Sequence, residues 1–172
     1  WKAMRELGIK FSAVAGVSIG SINGAFITAD CYNEAVSFWK TASVDKGVNI
    51  AQELKEPENL FSFKNFPVLF KEVVKNGGID ASPADEFLRE YIDEDKVRKS
   101  ETDFGMVTFQ LSGFVPLEIF KKDIPEGQLV DYLLASSKVP GVSKIGPDDE
   151  RYLDGGVYDN APIGLLRKNG YN

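Results

Sequence analysis

Histidine is absent from this chain. Its absence removes the usual general base for a serine or cysteine nucleophile, the commonest zinc ligand, and the side chain that most often changes charge near neutral pH. Any catalysis here must run on carboxylates, lysines, tyrosines or backbone groups, and no metal or cofactor is expected. Cysteine occurs once, at Cys31, which excludes an intrachain disulfide and fits a reducing, cytoplasmic setting. Cys31 has no glycine turn around it and no histidine to activate it, so it is a poor thiol nucleophile. No apolar run approaches the ~20 residues of a membrane-spanning helix. The charged opening "WKAMREL" carries no secretory signal. A basic excess is also missing: the formal charge of −6 leaves no stripe for nucleic acid and no polybasic cluster for an electrostatic membrane anchor. Peripheral, transient contact with a neutral or zwitterionic lipid surface stays open.

What is present is a globular composition, 43% hydrophobic and 27% charged over 172 residues. A chain of this size buries roughly 70% of its unfolded surface, enough for a proper core. One domain over residues 1–172 is the expectation. "WKAMREL" followed by Gly8 predicts a helix with glycine just past its end. "IKFSAVA" predicts a buried strand. From Ser21 to Ala42 the spacing is helical, with Ile22, Ala25 and Phe26 on one face, then Ala35, Phe38 and Trp39 after a break near Asp30 to Asn33. Residues 44 to 80 hold "NLFSFKNFPVLFKEVVKNGG", read as short helices in which Phe61, Phe63, Phe66, Leu69 and Phe70 form either a core under a loop or an apolar lid or lipid-contact surface. Ser82 as cap, Pro83 at the first position and Asp85 three residues after the cap predict a helix start. "YIDEDKVRKSETD" lacks the spacing and glycine of a calcium loop and predicts a solvated loop. "DFGMVTFQL" and "FVPLEIF", separated by Ser112 and Gly113, predict a hairpin. "EGQLVDYLLASSKVPG" predicts a helix stopped by Pro140 and Gly141. "RYLDGG" predicts a short strand entering a glycine turn, and "PIGLLRKNG" a last helix from Pro162 to Gly170. The alternation of helices and strands implies an α/β sheet. A helix with no strand before it and "YN" with no strand after it read as a fragment of a larger domain.

Between two apolar segments lies "FSAVAGVSIGSINGA", Phe11 to Ala25. Gly16, Ser18 and Gly20 form GxSxG. A serine hydroxyl is a weak nucleophile and must be presented to both substrate and base. A sharp strand–turn–helix does this at the top of a sheet, with the flanking glycines letting backbone approach. The helix beginning near Ile19 aims its first N–H groups at the site, which makes the Ile19 N–H the natural first oxyanion donor. The pattern alone would arise by chance in roughly 6% of chains of this length, so a plain tight turn packed on a helix is the competing reading. Without histidine, Ser18 needs another base. "LDGG" offers Asp154, which either reaches outward as Gly155 and Gly156 turn the backbone or merely caps that turn.

Together these segments resemble the patatin-like phospholipase family. "AVAGVSIGSINGA" is similar to its nucleophile elbow, "LASSKVPGV" to its Ala-Ser…Pro segment, and "YLDGGVYDNAPI" to its Asp-Gly-Gly segment followed by Asn-x-Pro. The resemblance spans nearly the whole chain. It implies an α/β fold of three layers with a mainly parallel central sheet, here truncated at both ends. It also implies a Ser–Asp dyad, with Ser18 the nucleophile, Asp154 the general base, and Gly16, Gly20, Gly155 and Gly156 shaping the two turns. Asn160 and Pro162 would shape the turn after Asp154. The family's glycine-rich oxyanion loop has no counterpart in these residues, since Gly77-Gly78 follows a helical stretch.

The implied activity is hydrolysis of lipid acyl esters, of phospholipase A or lysophospholipase type, through an acyl-enzyme. An acyltransferase and a non-catalytic lipid-binding or interaction module are the alternatives. The first usually relies on the missing histidine, and the second follows if the oxyanion hole is incomplete. Neither head-group preference nor oligomeric state is legible.

Overall fold

The structure, a computed structural model, describes residues 1–42, 82–137 and 150–171. In chain order these form α1 (Lys2–Glu6), β1 (Ala13–Val17), α2 (Ile19–Thr28), α3 (Tyr32–Thr41), α4 (Ser82–Tyr91) and α5 (Glu94–Lys99). They continue with β2 (Asp103–Gln110), β3 (Val115–Phe120), α6 (Leu129–Ser136), β4 (Tyr152–Asp154), a 3-10 turn (Gly155–Val157) and α7 (Ile163–Lys168).

The α/β class expected from the alternating pattern is observed. β2 is the central strand: β1 pairs with it in parallel, while β3 and β4 pair with it antiparallel. The β2–β3 hairpin forms where Ser112 and Gly113 separate two apolar runs, and its short connection requires the antiparallel sense.

Parity along β2 divides the core into two. Phe104 and Met106 face a large cluster built with Phe26 of α2, Phe38 of α3, Leu88 of α4, Val97 of α5 and Leu133 of α6. Val107 faces the other side, with Val17, Phe120 and Leu165 of α7. Helices therefore cover both faces of the sheet, unequally, in three layers. The alternation follows from the period of two in a strand. Burying a large apolar side chain stabilises by about 1.5–3 kcal/mol, so the α2–α6 side carries most of the stabilisation.

Local expectations are met at α1, where Gly8 takes φ +69 just past the helix, and at α7, where Pro162 precedes the helix and Gly170 takes φ +85. The break between α2 and α3 falls at Ala29–Cys31, with Asp30 at φ +54. Ile22, Ala25, Phe26, Ala35 and Phe38 are buried as expected. Trp39 is not: it is 42% exposed, and its indole N–H donates to Asn23 Oδ1 at 2.8 Å.

One local reading is corrected. "YIDEDKVRKSETD" was expected as a solvated loop, yet Glu94–Lys99 is helical. Asp93 caps it, accepting the Lys96 N–H at 3.0 Å. Glu94–Arg98 and Asp95–Lys99 pair one turn apart. With Val97 as the only buried anchor in six residues, the apolar period was too sparse to show. The phenylalanine-rich segment, Gly77-Gly78, and the stop at Pro140 and Gly141 lie outside the described residues.

Candidate active site

β1 and β4 share one lane. β3 occupies one edge of β2 from Gly105 to Gln110. On the other edge, β1 covers Asp103 to Val107 and β4 covers Thr108 to Gln110. β1 runs with β2 and β4 runs against it, so their carboxyl ends meet head-on, Val17 opposite Val107 and Asp154 opposite Thr108. Two backbones cannot continue into each other's space. Ser18 and Gly155, the next residues, must both turn away at the same point. The two sequence motifs are thereby brought to one place although 136 residues separate Ser18 from Asp154.

Glycine makes that junction possible. A Cβ on Gly16 would overlap the Gly20 carbonyl and sit 2.6 Å from Ser21 N; a Cβ on Gly155 would overlap the Val107 carbonyl and sit 2.9 Å from Val17 Cγ2. Neither position admits a side chain. Gly20 departs from expectation. A Cβ there meets nothing within 4 Å, so what matters at Gly20 is its own carbonyl, which closes over Gly16. At Gly156 an added Cβ would sit 2.8 Å from Asn160 Oδ1, which places Asn160 over the turn, as read from the sequence.

Ser18 stands between strand and helix at φ 53, ψ −132, a region non-glycine residues rarely adopt. Such a conformation costs of order 1–3 kcal/mol and persists only when its surroundings over-determine it. Here they do. The Ser18 N–H donates to Ser136 Oγ at 2.9 Å. The Ser18 carbonyl accepts both the Ser21 N–H at 2.9 Å and the Ser21 hydroxyl at 2.6 Å. Ser21 and Ser136 are fully buried, while Ser18 is half-buried.

Ile19 opens α2 with its side chain 57% exposed. Among the described residues its N–H has no acceptor, as expected for a first-turn amide. The positive end of the ten-residue α2 therefore faces out beside Ser18.

Asp154 is half-buried at the end of β4. Its Oδ1 accepts the Gly156 N–H at 2.8 Å, so the carboxylate caps the 3-10 turn. Among the described residues its other oxygen has no hydrogen-bond partner, and no hydrogen bond joins it to the Ser18 hydroxyl. Behind both motifs, the fully buried Thr108 hydroxyl lies 3.0 Å from the carbonyls of Ala135 and of Leu153, tying α6 and β4 to β2.

Sequence reasoning missed Ser21, Thr108 and Ser136 as parts of this site. Ser136 lies in the quoted "LASSKVPGV", but nothing local distinguishes it from Ser137, whose hydroxyl, among the described residues, bonds back to the Leu133 carbonyl of its own helix. Cys31 is elsewhere, buried at the start of α3, and burial foremost pushes its thiol pKa up, keeping it protonated. Among the described residues no three His, Cys, Asp or Glu side chains gather to hold a metal ion. No helix among them is long and apolar enough to cross a membrane.

Curated proteins offer no match to the chain. The family model described as "Patatin-like phospholipase" matches residues 1–167, from α1 through nearly all of α7. That span takes in both turns that meet at the head-on strand ends, and the chain belongs to the patatin-like phospholipase family.

Proposed function

We propose that this chain is a serine acyl-ester hydrolase acting on lipids, of phospholipase A or lysophospholipase type, with Ser18 as nucleophile and Asp154 as general base. The observation that carries the reading is the shared lane beside β2, which delivers both turns to one point. In the first half-reaction Ser18 Oγ attacks the ester carbonyl carbon as its proton passes to the Asp154 carboxylate. The tetrahedral oxyanion is met by the Ile19 N–H at the positive end of α2. Collapse breaks the carbon–oxygen bond of the ester, and the departing alkoxide takes the proton from Asp154. A water then gives its proton to Asp154, attacks the acyl-enzyme and releases the fatty acid, and Ser18 recovers its proton.

Residues 1–172 act in this reading as one catalytic domain. Its setting is cytoplasmic or peripheral at a membrane surface, consistent with a lone, reduced cysteine and a lipid substrate. The competing reading is a non-catalytic lipid-binding module. It is favoured by the engagement of Asp154 in its own turn without a bond to Ser18. The full-length protein, assayed on a short-chain nitrophenyl ester, separates the two. Hydrolysis that disappears in both Ser18→Ala and Asp154→Ala supports the dyad. Undiminished turnover in either variant sinks it, and a folded protein that neither hydrolyses ester nor reacts with a fluorophosphonate is the binding module.

A further inference from the structure

The β1–β2 ladder has a defined phase. Asp103 N donates to Ser12 O at 2.9 Å, and Ala13 is paired with Asp103 in parallel register. In a parallel ladder each bonded residue of one strand donates to the residue before its partner and accepts from the residue after it. Stepping by two, Gly105 and Val107 are the next bonded residues of β2. The bond after Val17 would then run directly from the Ser18 N–H to the Val107 carbonyl.

That bond is replaced. Ser136 Oγ accepts the Ser18 N–H at 2.9 Å and donates to the Val107 carbonyl at 2.7 Å. Neither backbone group leaves a choice of direction: the amide can only donate and the carbonyl can only accept. The hydroxyl therefore stands in the ladder as a one-atom spacer, with both of its roles defined. Ser136 is 0% exposed and comes from α6, on the opposite side of the sequence from the turn. The spacer lets β1 part from β2 at Ser18 while the Ser18 N–H and the Val107 carbonyl both stay paired; leaving them unpaired and buried would be costly.

We propose that Ser136 is a positioning residue, whose buried hydroxyl is inserted into the β1–β2 ladder and holds Ser18 in the conformation that presents its side chain for attack. The kinetic part rests on Ser18 being the nucleophile. Without the spacer, the ladder either closes directly, pulling Ser18 back toward strand geometry, or leaves two buried groups unpaired. Both outcomes displace the hydroxyl of Ser18, while Ser136 itself is fully buried and presents no surface to a substrate.

The test uses the full-length protein with Ser136→Ala, Ser136→Thr and, as control, Ser137→Ala. In Ser136→Ala, kcat and the rate of fluorophosphonate labelling at Ser18 should fall about tenfold or more, with KM changed by less than about twofold. Ser136→Thr, which keeps the hydroxyl, should recover most of both rates, and Ser137→Ala should match the parent. A folded Ser136→Ala protein that labels at the parent rate would overturn the proposal. A second measurement does not depend on any variant folding. Hydrogen exchange at the Ser18 amide of the unsubstituted protein should be as protected as the β2 ladder amides, and exchange at the rate of an open turn would overturn the spacer itself. The nucleophile reading fails separately, through full hydrolysis by Ser18→Ala, and that result leaves the exchange measurement as the judge of the spacer.

Discussion

Two regions of this molecule are held by opposite means. At the Ser18 turn, strained backbone is fixed by small residues and neutral hydroxyls: Gly16 and Gly155 by exclusion of side chains, Ser21 and Ser136 by bonds to both ends of Ser18. At α5 the fixing groups are charged and long. Arg98 donates to the carbonyls of Lys121, Ile124 and Pro125 and to Glu94, at 2.6 to 3.2 Å. Glu94 in turn accepts the N–H groups of Gly127 and Leu129. Lys121 donates to the carbonyls of Val97, Ser100 and Thr102, and burial foremost lowers its pKa. The difference follows from geometry. Two strand ends that collide leave room for hydroxyls alone, whereas a short helix bridging loops needs reach. Long side chains can adjust to a lost partner; packed backbone cannot.

Substitutions can break this contrast, and the largest effect belongs to the turn. Ser18→Ala should reduce ester hydrolysis by at least about 10³-fold, with the thermal midpoint changed little, as read by a nitrophenyl ester assay beside calorimetry. Gly16→Ala should destabilise by about 3 kcal/mol, because the methyl group would overlap the Gly20–Ser21 peptide, which is backbone and cannot swing aside. Denaturant unfolding reads this directly, and a loss below about 0.5 kcal/mol would mean the turn relaxes more easily than the close approach implies.

Arg98→Met should cost about 2 kcal/mol, since it takes the guanidinium donor from three carbonyls and leaves Glu94 without its counter-charge, held only by the Gly127 and Leu129 N–H groups. Esterase activity per folded molecule should be unchanged, which sharpens the division between the two regions. Gly20→Ala runs the other way. Its Cβ meets nothing, and alanine is favoured over glycine within a helix by roughly 0.5–1 kcal/mol. Stability should therefore rise slightly, measured against Gly16→Ala in the same assay.

The smallest effect is at the cap of α5. The Lys96 N–H foremost lowers the pKa of Asp93 below its ordinary 3.8. A lowered carboxylate pKa stabilises the folded state above 3.8 and loses that contribution as pH falls through the folded value. Asp93→Asn keeps a capping oxygen. It should leave stability near pH 7 almost unchanged and flatten the loss of stability below pH 4, as read by unfolding at a series of pH values.

Legibility followed the range of the interactions. Gly8, Pro162 and Gly170 announced helix boundaries because capping is decided within a few residues. The β2–β3 hairpin was visible because two apolar runs flank a short turn. α5 was hidden because one buried valine among six residues leaves no period to count. At the site, GxSxG and LDGG were visible as turns, but the role assigned to Gly20 was misjudged, since sequence cannot say which of two glycines faces the other's backbone.

By itself, the sequence determined the two glycine-bound turns and the choice of a carboxylate as the partner sought for Ser18, because a chain without histidine has few other bases. Only tertiary structure decided that β1 and β4 end against each other in one lane, and that Ser136, rather than Ser137, supports Ser18. The reason is physical. Ser136 and Ser18 lie 118 residues apart, and which of two adjacent serines reaches the turn depends on how α6 is docked on the sheet, which no local pattern encodes.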